Sequence, residues 1–529
     1  MTSLTGELFV GAERRARDQT FTAYEPSLGQ PIGTPPFSIA RTCDVSDACA
    51  LAEAAFPVFS TMPLLERAAF LDAIADEIEA IGDPLVERAC RETGLSEARI
   101  ESERARTVLQ LRFYAEEVRD GSWQRVRIEH GDSDRTPPRP DLRLRMVPIG
   151  PIAIFGASNF PLAFSAAGGD TAAALAAGCP VIVKGHSAHP GTCEMMAGTV
   201  RAAAERTGMP EGIYSMLLSN VRAVGEALVT DLRICAVGFT GSRAGGEALM
   251  RLASARPCPI PVFAEMASIN PVLLLPAALA ARSAPIAEGF VASLTLGAGQ
   301  FCTNPGLILA LEGPDLDAFI ARTHALLAHQ DDQVMLTSGI HAAFEQGKVA
   351  LSARPGIATV AEGLASGKPT RGAAALYKVG ASDFIADPQC REELFGSASL
   401  VVVCRDVDDM TAVLDCLEGQ LTGTIHADEA DHELARYLLP WLERRAGRLI
   451  VNGWPTGVEV SHAMVHGGGY PSTSDGRSTS VGSLAIDRFL RPVSYQNVPA
   501  ALLPDALREQ AQRGVARIDG RWEFGESRR

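Results

Sequence analysis

Three short apolar runs followed by helical sequence constrain the fold of this chain more than any other feature. They are Pro151-Ile152-Ala153-Ile154-Phe155-Gly156, Pro180-Val181-Ile182-Val183-Lys184 and Ala236-Val237-Gly238-Phe239-Thr240. An Ala-rich helical stretch, Gly168–Ala177, separates the first two, and a second, Thr192–Thr207, follows the second run. A strand that is apolar on both faces belongs inside a sheet covered on both sides. Strands alternating with helices make that sheet parallel and doubly wound, with ligands held beyond the strand C-termini. The segments just after these strands are therefore the first place to look for function.

A chain of 529 residues accommodates two or three domains and a large core. The formal net charge of -15 leaves no basic footprint for nucleic acid or for an anionic membrane. Eleven cysteines are scattered without a CxxC pair, which fits neither a disulfide framework nor a zinc site and points to a reducing, cytoplasmic setting with no metal. The N-terminal sequence lacks the apolar core of a signal peptide, and the longest apolar run, around Pro271–Ala281, is too short and Pro-interrupted to span a bilayer.

Ahead of the strands, Ser46–Phe59 and Leu64–Ile81 carry apolar residues at helical spacing, and Arg91-Glu92-Thr93-Gly94 reads as a glycine-capped helix end. Residues 122–146 alternate in two runs around a polar, Pro-rich segment and are expected to form a projecting, hairpin-like pair of strands. A second α/β unit is expected from about Pro261 to Ala463.

Five segments carry candidate chemistry. Gly299-Gln300-Phe301-Cys302 presents a thiol on a glycine-rich approach, where the backbone can come close to a substrate and the Cys302 amide is free to donate. Taken alone, Cys302 reads first as a small buried hydrophobe. Glu265 ends the apolar run Pro261-Val262-Phe263-Ala264, where desolvation is expected to raise its pKa toward that of a useful general base. Asn159, in Ser158-Asn159-Phe160-Pro161, follows the first strand and is either an oxyanion donor or part of a plain turn. Ser242, in Phe239-Thr240-Gly241-Ser242, stands at a strand-to-helix junction suited to a pyrophosphate, or is an ordinary N-cap. Glu393 and Phe395, in Arg391-Glu392-Glu393-Leu394-Phe395-Gly396, could hold a ribose or form a solvated acidic turn.

In their order along the chain, from Asn159 through Ser242, Glu265 and Cys302 to Glu393, the segments resemble the aldehyde dehydrogenase superfamily, over about Gly6 to Pro499. The resemblance implies Cys302 as nucleophile, Glu265 as general base and Asn159 as oxyanion donor. It implies Lys184 at the adenine ribose, Ser242 at the pyrophosphate, and Glu393 with Phe395 at the nicotinamide ribose. The implied fold class is α/β, with a doubly wound Rossmann-like cofactor domain (residues 1–121 and 147–260), an α/β catalytic domain (261–463), a small β bridging or oligomerisation element (122–146 and 484–499) and a C-terminal tail (500–529). A homodimer or homotetramer is implied by the bridging strands, which would otherwise leave an exposed edge.

Ser158 replaces the family's usual tryptophan, and Glu265-Met266-Ala267-Ser268 replaces Glu-Leu-Gly-Gly. The segments from Pro455 to Gly482 replace the usual anchor loop. These departures are similar to the α-ketoglutarate semialdehyde (2,5-dioxopentanoate) dehydrogenase branch, which also holds an NADP-preferring fatty-aldehyde enzyme. Ser187 stands where NAD-preferring relatives carry a glutamate, and with Lys184 and His186 it offers donors to a phosphate, so NADP is the expected cofactor, with NAD as the alternative. Phe160, Phe164 and His462 are expected at the substrate entrance, and His462 and His466 read equally well as ordinary loop histidines. A thiol hydrolase or acyltransferase, a binding protein without catalysis and a coenzyme-A-acylating enzyme are the other classes. The first needs no Phe239–Ser242 and Glu393, and the last usually lacks the glutamate.

Overall fold

The computed structural model describes residues 4–508 and 515–524 of the chain. The apolar runs form Ile152–Phe155, Val181–Gly185 and Ala236–Thr240, joined in one parallel sheet by Tyr214–Leu218 and by Val262–Glu265, which was expected in the second unit but pairs here with Ala236–Thr240. The sheet runs in the order Val262–Glu265, Ala236–Thr240, Ile152–Phe155, Val181–Gly185, Tyr214–Leu218, with Leu8–Val10 and Glu13–Arg15 added antiparallel at the far edge. Among the five parallel strands the first in sequence lies at the centre and the chain winds away from it in both directions. The topological switch point is therefore between Ile152–Phe155 and Ala236–Thr240, where a crevice opens at the strand C-termini.

Helices Gly169–Ala177 and Pro190–Thr207 pack on this sheet, as their apolar spacing predicts, and the former is buried at every position. Helix Leu64–Ile81 packs on Glu97–Asp120, whose N-cap Ser96 accepts from the Arg99 amide and whose C-cap Gly121 adopts φ 75°. A glycine suits that left-handed cap because it has no Cβ to clash.

The second sheet runs Ala358–Glu362, Ala375–Gly380, Ala398–Cys404, Leu307–Leu311, Pro271–Leu274, Gln420–His426, Ala446–Val451, all parallel except the first. Alternate residues of its strands enter different cores. Leu273, Leu309 and Val402 pack on one face, and Val272, Leu274, Ile308 and Val401 on the other. That is why its strands read as unbroken apolar runs.

Strands Arg127–Glu129 and Leu142–Pro148 pair antiparallel, and Leu490–Gln496 pairs with the second of them. Residues 500–529 carry no sequence pattern of their own, yet Val515–Ile518 and Arg521–Phe524 extend this same sheet to five strands. Of that stretch, residues 509–514 and 525–529 lie outside the described residues.

Candidate active site

A cleft of about 1250 Å³ opens at the switch point of the first sheet, and the second α/β unit forms its other wall. The first sheet contributes the segments after Phe155, Lys184 and Phe239. The second unit contributes Cys302 and Glu393–Phe395. Asn159, Phe160, Phe164, Lys184, His186, Ser187, Ser242, Glu265, Cys302, Glu393 and Phe395 all line this one space.

Cys302 reaches the cleft through a strained approach. Gly297, Ala298 and Gly299 take φ of 58°, 58° and 65° in succession. At Gly299 a Cβ would lie 2.4 Å from the Gly396 carbonyl carbon and the Ser397 nitrogen. This glycine is thus required by close packing on the backbone beyond Glu393–Phe395, rather than by a substrate. Asn270, itself at φ 49°, donates from Nδ2 to the carbonyls of Cys302 and Asn304, each at 2.9 Å, and so fixes the backbone under the thiol. Asn159 donates from Nδ2 to the Gln300 carbonyl at 3.0 Å. Its amide thus stands at the Cys302 loop with a second hydrogen to offer.

Glu265 ends strand Val262–Glu265, where the next residues pair with a crossing loop. The Met266 amide donates to the Ser472 carbonyl, and the Ser474 amide to that of Ala264. This clamp carries His466 and Ser480 onto the Glu265 carboxylate. His466 Nε2 lies 2.8 Å from Glu265 Oε1 and 3.4 Å from Cys302 Sγ, and Ser480 Oγ donates to Glu265 Oε2. Glu265 and His466 are almost fully buried.

Glu265 behaves differently from the sequence expectation. Burial does act to raise its pKa, but His466, Ser480 and the Cys302 thiol stabilise the anion, and the net shift is downward. Cys302 moves the other way: burial and the Glu265 charge push its thiol well above its ordinary value. The resting pair is an ionised carboxylate beside a protonated thiol, which is the arrangement of a base and its proton donor.

His462 is expected at the entrance, and both it and His466 also read as ordinary loop histidines. The structure brings His466, not His462, onto the cluster. His462 is 70% exposed in its side chain, with Nδ1 3.0 Å from Glu117 Oε1 and its ring against Phe113. The signal that could have found His466 is the pair Thr479-Ser480: the His466 amide donates to Thr479 Oγ1, and the Ser480 amide donates to the His466 carbonyl.

The opposite end of the cleft fits a nicotinamide dinucleotide. Ser242 caps helix Arg243–Ser254, its Oγ accepting from the Gly245 amide at 3.2 Å, and the helix N-terminus faces the cleft. A Cβ on Gly241 would meet the Phe239 ring at 2.7 Å, so the turn needs its glycine to pass this close. Desolvation lowers the Lys184 pKa and lowers that of His186 further. His186 is therefore neutral. Its Nδ1 accepts from the Ala188 amide at 3.1 Å, which puts the ring proton on Nε2. Desolvation pushes Glu393 up to about 8, and among the described residues only the Ser268 amide, at 3.4 Å, donates to it. A half-buried carboxyl lining the cleft with one long hydrogen bond is suited to accepting hydroxyls from a ligand.

At the other side of the thiol, Phe160 packs edge-on against Phe164 (5.2 Å) and Phe301 (5.4 Å), and Phe164 lies 6.2 Å from the His466 ring. Phe160 and Phe164 pack with Val458, Val460, Met464 and Val481 in one apolar cluster beside the cleft.

A family model described as the aldehyde dehydrogenase family matches residues 13–492. The chain belongs to the aldehyde dehydrogenase family. Among curated relatives, it is 56% identical to alpha-ketoglutaric semialdehyde dehydrogenase 2 of Azospirillum brasilense, over 98% of this chain and 100% of that one. It is 43% identical to alpha-ketoglutaric semialdehyde dehydrogenase of Acinetobacter baylyi, over 98% of each chain. Among solved structures, that of aldehyde dehydrogenase 21 from Physcomitrella patens superposes with a TM-score of 0.78 at 20% identity, covering 93% of this chain and 98% of that one. The fold is that of the aldehyde dehydrogenases, enzymes that use NAD or NADP. No helix among the described residues is long and apolar enough to cross a membrane.

Proposed function

We propose that the enzyme oxidises α-ketoglutarate semialdehyde to 2-oxoglutarate. The observation that carries the substrate is the 56% identity, end to end, with the Azospirillum enzyme named for that aldehyde. The cluster of Cys302, Glu265 and His466 supports the chemistry.

In this mechanism the Cys302 thiol passes its proton to the Glu265 carboxylate, and the thiolate adds to the aldehyde carbon. The oxygen of the thiohemiacetal takes hydrogen bonds from the Asn159 amide and the Cys302 N–H. A bound nicotinamide would supply the acceptor for the hydride whose loss leaves a thioester on Cys302. Lys184, Ser242 and Glu393 with Phe395 would hold that dinucleotide. Glu265, once its proton has passed to solvent, takes a proton from water. The resulting hydroxide attacks the thioester, the C–S bond breaks, and the carboxylate leaves. His466 and Ser480, which touch Glu265 on its two oxygens, hold it in place for both steps.

NADP is the cofactor we favour. Ser187 puts no carboxylate beside Lys184, and Arg222, a cation with no ion pair among the described residues, lines the same end of the cleft, although Glu226 stands there too. The eleven cysteines are all free, in keeping with a reducing cytoplasm. A homodimer or homotetramer completes the proposal.

Initial rates of NADPH and NADH formation test the reading, with α-ketoglutarate semialdehyde beside a long-chain and a short aliphatic aldehyde. The expected result is the highest kcat/KM with the semialdehyde and NADP. A preference for the long-chain aldehyde overturns the substrate, and a preference for NAD overturns the cofactor.

A further inference from the structure

The proposed substrate carries a carboxylate at the end remote from its aldehyde, and an anion entering the apolar ring of Phe160 and Phe164 needs a cation there. Helix Glu97–Asp120 brings Arg99, Glu103 and Arg106 onto one face at spacings of four and three. Glu103 is already committed: one oxygen takes Arg99 at 2.8 Å, and the other takes the amides of Leu162 and Ala163 at 2.8 and 2.9 Å. Arg106 is left with no ion pair among the described residues. Its Nη1 donates to the Val458 carbonyl at 2.8 Å, and its guanidinium carbon lies 5.4 Å from the Phe164 ring centroid.

Two of its nitrogens, Nε and Nη2, are buried and have no hydrogen-bond partner. They lie on the same edge of the guanidinium, the fork that receives a carboxylate bidentately. Leaving a desolvated cation and two N–H groups unmatched is unfavourable unless a ligand supplies the missing acceptor. A second guanidinium stands across the loop that Arg106 holds. Arg448 donates to the carbonyls of Gly457 and Pro455, its Nε is likewise buried without a partner, and it too has no ion pair among the described residues. Both are close enough for their charges to act on Cys302. Away from this entrance, buried Arg88 and Arg488 are matched by Glu92 and Asp170, whereas Arg67 and Arg256 donate to the carbonyls of Ala176 and Val229.

We propose that Arg106 is the receptor for the remote carboxylate of the aldehyde acid, which it takes on its Nε–Nη2 edge, with Arg448 as the second cation of the same anion site. The inference rests on the substrate reading above and assigns it to a residue.

The test compares kcat/KM for α-ketoglutarate semialdehyde with that for pentanal, an uncharged aldehyde of the same length, in the wild type, Arg106→Met and Arg106→Lys. The ratio is expected to fall by about 10- to 100-fold in Arg106→Met, mainly through KM for the semialdehyde. Arg106→Lys, which keeps the charge and loses the fork, is expected between the two. A wild type that prefers the semialdehyde, together with an Arg106→Met variant that keeps the same ratio, overturns the role of Arg106 and leaves the substrate standing. A wild type without that preference overturns the substrate, and this assignment with it. If Arg106→Met does not fold, inhibition of the wild type decides: glutarate is expected to compete at least about tenfold better than pentanoate, with the gap narrowing as salt rises. Equal inhibition by the two acids overturns the anion site.

Discussion

Cys302 is held as a thiol by burial and by the ionised Glu265 beside it, so the carboxylate has two opposed effects on the nucleophile. As a base it receives the thiol proton. As a neighbouring anion it keeps that thiol from ionising. Glu265→Gln separates the two. Turnover is expected to drop by roughly 10²- to 10⁴-fold, the usual loss with a general base. The pH profile for alkylation of Cys302 by iodoacetamide is expected to move to lower pH, because removing a negative neighbour lowers a thiol pKa. The sign follows from the resting state: a raised thiol pKa leaves little thiolate at neutral pH, and less repulsion means more of it. A profile that stays in place or moves to higher pH would contradict the assignment of the charges. At this scale Cys302, Glu265 and Asn159 were legible because each sits in a short motif at the end of a regular element. His466 and Arg106 were not. One depends on a loop crossing from 201 residues away in sequence (Glu265 to His466), and the other on a helix face whose neighbours only the fold supplies.

The regular elements themselves were largely legible, since helix Leu64–Ile81 and strand Ala236–Thr240 have the bounds their apolar spacing predicts. The segment from Asn452 to Gly482 was not, because side-chain-to-backbone bonds hold it and these leave no periodicity. Helix Arg243–Ser254 illustrates how an element can be both structural and functional. Its N-cap Ser242 satisfies the Gly245 amide, and Ser242, Ala244 and Gly245 of its first turn line the cleft. Ser242→Ala is expected to destabilise the protein by about 1 kcal/mol. It should also weaken dinucleotide binding several-fold, because a frayed first turn no longer aims its amides at a phosphate. Thermal melting with and without NADP checks both: the variant should melt lower in each case and gain less from the cofactor. An equal gain would leave Ser242 as a cap alone.

For the molecule as a whole, the arrangement of edges is the feature left to explain. The five-stranded sheet ends at Leu490–Gln496, whose Arg491, Pro492, Ser494 and Gln496 are exposed, and the catalytic sheet ends at Ala446–Val451, with Val451 61% exposed. An open edge invites pairing with another chain unless it is blunted, and Pro492 removes only one of the available N–H groups. Joining the Leu490–Gln496 edge of one copy to the catalytic edge of another satisfies both and extends each sheet. Sedimentation velocity is therefore expected to give a dimer or tetramer of the 56.0 kDa subunit. Val451→Lys, which sets a charge at the end of the catalytic edge, should shift that population toward monomer while its melting temperature stays close to that of the wild type, since the residue is outside both cores of its sheet. Sedimentation as a monomer at every concentration would refute pairing through these edges. An oligomer that Val451→Lys leaves intact would place the contact elsewhere.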